Sequence, residues 1–556
     1  MKNNFKIDRK RIRLTLRYGA DHERKVSYSG LWPRSSTAAN INLQAVNLLF
    51  NGQKDKITGQ ITAQEETYLR SITMHFHLKC KDHKNNFISN LKDSPFLAIN
   101  NNVTDKAFVI ARKLPLRQNI QFTYSQRRHS VKIQWNFNCL VQPEKSLVLD
   151  KVTIRMGNQK DLLTRLVKDI SLKNPLDMES RERIIWTVPL DSKGILRLKT
   201  LEDNLLILEE NKLFYDQLRL TGLHPRAGDW LNIRKDFQSK IGFITRRIEH
   251  IGMTACLAFS PLSVSPESEV FRQHPDWCLR SLKGDPLPLL DITQKDVRDY
   301  LKTVMETFRN QWGFKSFHLT GLSDLTIPHL RKKSHYESGY LLSKTLQFFR
   351  ENIGKVGSIS AEGIPDLAGC GFIESLSTYK LEAQEQKAAD LFYSVLERGV
   401  QKASLQKKLW INDPGLYPLG KSAETLPVQI RESIRQLILI TGGILSIYTD
   451  HCELDAEGLK NLGEIFETFR TFCKGELIAL SYAQRKHPAI IYNTSGHLGV
   501  FNLSKKTQSI SLNLSLLQEK IGLSKSGTFI KEGQTGMKTG TLDLILPPYG
   551  SRVFRF

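Results

Sequence analysis

AFSPLSVSPESEVFRQHPDW, residues 258–277, is the stretch whose reading decides the fold, and WINDP at 410–414 answers it. In the first, a short apolar run opens into a loop of serines, prolines and charges that closes on His274-Pro275-Asp276-Trp277. In the second, five residues make the same passage from apolar run to polar turn. Working outward, strand-length apolar runs fall at 195–198, 217–222, 254–261, 316–321, 358–363, 372–378, 409–412 and 444–450. Helical periodicity fills the gaps, at 237–251, 295–311, 340–353, 383–401, 426–441 and 456–472. Eight strand-and-helix units in succession predict a (β/α)8 TIM barrel rather than an open doubly wound sheet. No GxGxxG follows the first strand, which weighs against a dinucleotide fold.

The flanks read differently. Residues 1–190 alternate apolar and polar side chains at 11–18, 68–80, 119–124, 130–141 and 146–156, with a short helical stretch near 161–169. That pattern predicts an N-terminal β-sandwich. Alternation returns after residue 475 and ends on LPPYGSRVF, predicting a C-terminal antiparallel β-domain. The expected architecture is multidomain α/β and β: sandwich over 1–190, barrel over 191–475, second β-domain over 476–556.

Bulk composition narrows the class. A chain of 556 residues is too long for one core. Apolar and charged contents of 40% and 24% are those of an ordinary globular protein. No uninterrupted apolar run of about 18 residues predicts a membrane span. The opening MKNNFKIDRKRIRLTLRY has no apolar core of the signal-peptide kind, so a cytoplasmic protein is expected. The seven cysteines stand singly and read as reduced thiols. The 14 histidines show no HExxH spacing, so no metal and no cofactor are expected. A homo-oligomer is compatible with the sequence.

The abnormal number is a net charge of +24, from 80 Lys and Arg against 56 Asp and Glu. The basic residues are spread, with small clusters at 6–13, 331–333 and 505–506. Spread charge reads first as a solvated surface and second as a polyanion-binding groove. No zinc-finger spacing, RNP-like aromatic pattern or basic heptad helix points to a nucleic acid partner.

The layout with its motifs resembles the melibiase type of α-galactosidase, glycoside hydrolase family 36-like, from about residue 186 to 556. Gly228-Asp229-Trp230, a helix, and then the run that ends in His274-Pro275-Asp276-Trp277 are similar to the third-strand region of that family. LPLLDITQKDVRDYL at 287–301 is similar to the segment leading into the next helix, and WINDP and TGGILSIYTD (441–450) to the last two strands. The resemblance implies a retaining glycosidase acting on an α-galactoside-like carbohydrate. Such an enzyme needs two carboxyl groups about 5 Å apart, one the nucleophile and one the acid/base.

Those carboxylates are missing from the matching positions. Where the family has its nucleophile Asp after the fourth strand, this chain has Thr320, with His318 in the place of a Lys. Where the acid/base Asp follows the sixth strand, it has Leu381, with Glu382 one residue later. The family's pair of substrate-holding acids after the second strand, I-D-D-G-W, is here Arg219-Leu220-Thr221-Gly222-Leu223. The segment after the fifth strand is Ala361-Glu362-Gly363-Ile364-Pro365. Acids that remain near the expected barrel mouth are Asp324, Glu362, Asp366, Glu382, Asp413 and Asp450; Glu362, Glu382, Asp324 and Asp450 are the catalytic candidates. Each also reads as a solvated loop acid or a helix cap. Trp410, Asn412, Asp413 and Trp230 are the candidate substrate-binding residues, with packing and turn roles as their alternatives.

Three functions follow from this reading. The first is an α-galactosidase-like pseudoenzyme that binds carbohydrate at the barrel mouth. The second is an active glycoside hydrolase with relocated carboxylates. The third is a polyanion-binding protein that uses its positive charge.

Overall fold

A computed structural model gives the architecture. It describes residues 5–555 except 21, 31–38, 44–45, 53–55, 81–85, 89–95, 102–105, 113–116, 126, 144, 172–175, 177, 179–182, 333–334, 378–387, 482–487, 522–528, 532–533 and 538–540. The central sheet has eight parallel strands: Ile184–Thr187, Gln217–Leu220, Thr254–Phe259, Ser316–Leu319, Ser358–Glu362, Ser375–Ser377, Ile411–Asp413 and Leu445–Ile447. They are called here the first to eighth barrel strands. The first pairs with both the second and the eighth, so the sheet curls round. Its seam, between seventh and eighth, is held by Ile444 N donating to Asn412 O at 2.9 Å and by a bridge between Leu416 and Ser446.

One strand is not where the sequence reading put it. Residues 195–198 lead into the helix Leu198–Glu210, and the first barrel strand lies earlier, at Ile184–Thr187. The barrel sheet therefore begins before residue 191. The four residues 184–187 are all buried, so they carry no alternation to mark them. The helix is better signalled: Leu201, Asn204, Leu205 and Leu208 fall on one buried face at helical spacing. The last barrel helix, Ala456–Cys473, likewise buries Leu459, Leu462, Phe466, Phe469 and Phe472, and Asp455 caps it by accepting from Gly458 N at 2.8 Å.

Strand alternation sorts the barrel's two faces. Leu218, Leu220, Leu257, Phe259, Phe317 and Leu319 point outward into the core shared with the helices. Gln217, Arg219, Cys256, Ser316 and His318 alternate with them and point inward. The interior is tied by side-chain hydrogen bonds: Gln217 to Ser316 at 2.8 Å, Ser316 to Ser358 at 2.7 Å, and His318 to Ser360 at 2.7 Å. A barrel interior filled by branched aliphatics is the common case; this one is girded by hydroxyls.

The N-terminal domain is two antiparallel sheets around their own core. Strands 96–101 and 106–112, absent from the sequence reading, form its barrel-facing layer. Leu97, Ile99, Phe108 and Ile110 face the sandwich core, while Phe96, Ala98, Ala107 and Val109 join the barrel's core. Burial on both faces erases the period of two that the sequence reading relied on. The run 146–156 is split into Ser146–Val148 and Val152–Asn158. The sandwich also grips the loop after the fourth barrel strand. Asn138 Nδ2 donates to Thr326 O at 2.8 Å, His329 N donates to the Tyr68 hydroxyl at 3.1 Å, and Gln118 Nε2 donates to Glu337 at 3.1 Å. The C-terminal domain is antiparallel throughout, with sheets of six and two strands.

Candidate functional site

In a parallel barrel the site lies at the carboxyl ends of the strands. Here the ends of the second, fourth and fifth strands are turned by glycines in the left-handed region: Gly222 at φ 69°, Gly321 at φ 70° and Gly363 at φ 66°. A side chain at those positions would be strained. The residues just before these turns are Thr221, Thr320 and Glu362. At Gly321 space is also short: a Cβ there would stand 3.1 Å from Ser263 Oγ and 3.4 Å from Ser260 Cβ. Thr320 is engaged by the same loop, its hydroxyl sharing a 2.5 Å hydrogen bond with Ser260.

Below the turns sit three ionisable side chains. His318 is 5% exposed, and its Nδ1 shares the 2.7 Å bond with Ser360 while Nε2 stands 3.7 Å from Glu362 Oε2. Burial, with help from the Arg219 charge, pushes the imidazole down to about 4, against the opposing pull of Glu362. His318 is therefore neutral at pH 7. Arg219 is 4% exposed, and its Nε has no hydrogen-bond partner among the described residues. Glu362 is half-buried at the strand end.

Of the other candidate acids, Asp413, Asp450 and Asp366 are engaged by neighbouring side chains and backbone. Asp413 is 1% exposed and accepts from the hydroxyls of Ser377 and Ser446, both at 2.8 Å. Asp450 caps the short helix His451–Glu453, accepting from Cys452 N at 3.0 Å and from Asn204 Nδ2 at 2.8 Å. Asp366 pairs with Lys402 at 2.6 Å in a buried ion pair. Asp324 lies in the short helix Leu322–Thr326, next to Ser323, whose Cβ would be 3.9 Å from a Cβ at Gly363. That turn thus adjoins the Glu362 strand end. Leu381 and Glu382 lie outside the described residues.

The expected sugar-binding residues are buried. Trp410 and Asn412 are 0% exposed and Trp230 is 4% exposed, so none offers a face to a ligand. Asn412 Nδ2 donates to Arg398 O at 2.8 Å. Trp230 packs edge-on against His224 and Phe259, at 5.1 and 5.5 Å between ring centres. His274 and Trp277 stack at 4.0 Å over a short helix at Pro275–Trp277, and so shape a loop. Asp229 accepts from Glu269 N at 2.9 Å, at the start of the helix Glu269–Gln273. Asn and Asp before Pro414 make a wall and a turn.

Sequence reasoning passed over Arg219 and the hydroxyls of Ser260 and Ser360. A signal was present: in Gln217-Leu218-Arg219-Leu220 the polar residues share the parity that the barrel points inward. Among the described residues no three His, Cys, Asp or Glu side chains gather as a metal site, and no helix is long and apolar enough to cross a membrane.

The fold is an eight-stranded parallel barrel between antiparallel β-domains. The Melibiase family model matches residues 224–318. Alpha-galactosidase AgaA of Geobacillus stearothermophilus is 28% identical over 121 residues, 19% of this chain and 16% of that protein. Alpha-galactosidase 2 of Pediococcus pentosaceus is 25% identical over 126 residues, 21% of this chain and 18% of that one. The matched stretch is thus under a fifth of either relative. Among solved structures, the GH36 α-galactosidase AgaB from Geobacillus stearothermophilus superposes at a TM-score of 0.63 with 12% identity, covering 100% of this chain and 86% of that one. TtGalA, an α-galactosidase from Thermus thermophilus in complex with stachyose, gives 0.54 with 15% identity, covering 77% and 99%. Over residues 224–318 the chain is thus similar in sequence to the Melibiase family, and its fold is shared with solved GH36 α-galactosidases.

Proposed function

We propose that this chain is a glycosidase-fold protein without retaining glycosidase chemistry, whose barrel mouth serves as a carbohydrate-binding surface. The observation that carries the reading is Thr320. It follows the fourth strand, bonded to Ser260, at the position where the resemblance calls for a carboxylate nucleophile. A neutral hydroxyl cannot stabilise an oxocarbenium ion as a carboxylate does. A retaining pair sits about 5–5.5 Å apart and an inverting pair about 6.5–9.5 Å apart. Among the described candidate acids, Asp413 is turned to its two serines and Asp450 to its cap, which leaves Asp324, in the turn beside the Glu362 strand end, as the partner such a pair would need.

The strand-end loops still offer hydroxyls, at Ser260, Ser263, Thr320 and Ser323, beside the Glu362 carboxylate. Such groups suit the donors and acceptors of a sugar ring. The carbohydrate enters from the neighbours, whose structures hold stachyose or raffinose. The direct test is an assay of p-nitrophenyl α-galactoside hydrolysis beside calorimetric titration with raffinose. Binding without turnover is expected. Turnover that Glu362→Gln abolishes would sink the reading and favour the relocated-carboxylate enzyme.

A further inference from the structure

The described acids at this mouth are committed or few, while one cation beneath it is not matched. Arg219 points inward from the second barrel strand, as its alternation with Leu218 and Leu220 requires. Its register neighbours on either side are Thr187 and Cys256, which bring no charge. It forms no ion pair or hydrogen bond with a described side chain, although only 4% of it is exposed. A buried guanidinium without a partner is costly, and interiors keep such a charge where something else completes it. Other buried cations here show the usual solution: Arg350 pairs with Glu374 at 2.5 Å, and Lys402 with Asp366 at 2.6 Å. The imidazole between Arg219 and Glu362 is neutral and so neither neutralises the arginine nor repels an anion.

We infer that the barrel mouth takes an anionic sugar, one carrying a carboxylate, phosphate or sulfate group, with Arg219 as the residue that recognises the acidic group. This rests on the carbohydrate-binding reading above and sharpens its ligand class. A planar guanidinium matches an oxyanion with two parallel donors. In this arrangement the hydroxyls of Ser260 and Thr320 are left for the sugar ring, and Glu362 is a near negative charge that the ligand must tolerate. The net charge of +24 favours approach of an anion in the same sense.

The experiment is calorimetric titration of the full chain with galacturonate, galactose 6-phosphate and galactose 6-sulfate, with galactose and inorganic phosphate as controls. At least one acidic sugar is expected to bind at least tenfold more tightly than galactose, with affinity falling as salt rises. Arg219→Gln should remove that margin, and Glu362→Gln should tighten the acidic sugars by taking away a nearby negative charge. Thermal unfolding of each variant shows that it is folded. Equal affinity for galactose and the acidic sugars, unmoved by either substitution, would overturn the inference and leave carbohydrate binding standing. Binding of inorganic phosphate as tightly as the sugar phosphate would overturn it too, since the sugar would then contribute nothing. No binding of any sugar, neutral or acidic, would overturn both. Because the Glu362 arm moves in the opposite direction, a poorly folded Arg219 variant does not rescue the idea.

Discussion

His318 Nε2 stands 3.7 Å from a Glu362 carboxylate oxygen, yet the imidazole is uncharged at neutral pH. Two opposed neighbours and a desolvated position explain it: burial lowers its proton affinity most, Arg219 lowers it further, and Glu362 raises it. The wall of the mouth thus holds a cation, a neutral ring and an anion, and each side chain reports on the other two.

Histidine ring signals followed by NMR across pH should therefore move in opposite directions in two variants. Glu362→Gln removes the raising influence, so His318 should titrate below about 4, its value in the native chain. Arg219→Gln removes a lowering influence, so His318 should titrate higher. The same direction of shift in both variants would mean that the three groups are not coupled as their geometry indicates.

Acid should weaken the fold before ordinary exposed carboxylates protonate. His224, His318 and His451 are pushed down to about 4 and His329 to about 3, in each case chiefly by burial. Their folded values lie below the unfolded 6.5, so unfolding takes up protons, and stability is lost as pH falls from about 6.5 towards 4. Each ring accounts for on the order of 3 kcal/mol at the end of that window, against a typical total of about 5–15 kcal/mol. Asp150 acts in the reverse sense, raised to about 6 by burial, and favours the fold as pH falls from 6 towards 3.8. Glu337, also raised by burial, acts in the same sense as Asp150, and these two carboxylates are outweighed by the four histidines. Calorimetric scans should show Tm dropping between pH 6.5 and 4.5; a constant Tm there would be incompatible with neutral buried rings.

Much of this fold was legible in the sequence and less of the site was. The turns 220–222 and 319–321, each Leu-Thr-Gly, kept the glycines that the strand ends need while the acids beside them were absent, so barrel and missing nucleophile could both be read. What misled was burial on two sides. Residues 184–187 and 106–112 carry no alternation, because both of their faces are covered. The same blindness affected Trp410 and Trp230: an aromatic in a motif looks alike whether it stacks on a sugar or fills a core. Asp450 looked like a mouth acid, but its partner Asn204 is 246 positions away, beyond the reach of any local pattern. Arg219 went unweighed because the segment 219–223 was matched for its two lost acids and not for a cation gained.

Replacing Arg219 with methionine should stabilise the ligand-free chain. A charge that is 4% exposed and without an ion-pair partner is removed from the interior, while a flexible apolar side chain fills most of its volume. Exchange of buried ionic groups for apolar ones has given gains of about 1–4 kcal/mol. Urea unfolding should place the midpoint of Arg219→Met above that of the native chain. A midpoint lowered by a comparable amount would show that the guanidinium is satisfied in solution, and with it the case for an external anion would weaken.

Trp410→Ala separates the packing role from the sugar-stacking role that its motif invites. The ring is fully buried as part of the shared barrel core. Truncating a buried tryptophan costs about 3–5 kcal/mol through lost contacts and the cavity left behind. The variant should lose that much stability in urea unfolding. Sugar affinity, measured at a temperature and denaturant concentration where the variant is still folded, should stay within about a factor of two, since the ring has no exposed face on which a sugar could stack. A loss of affinity of tenfold or more in folded Trp410→Ala, with little loss of stability, would return this residue to the mouth of the barrel and require the WINDP strand to open there.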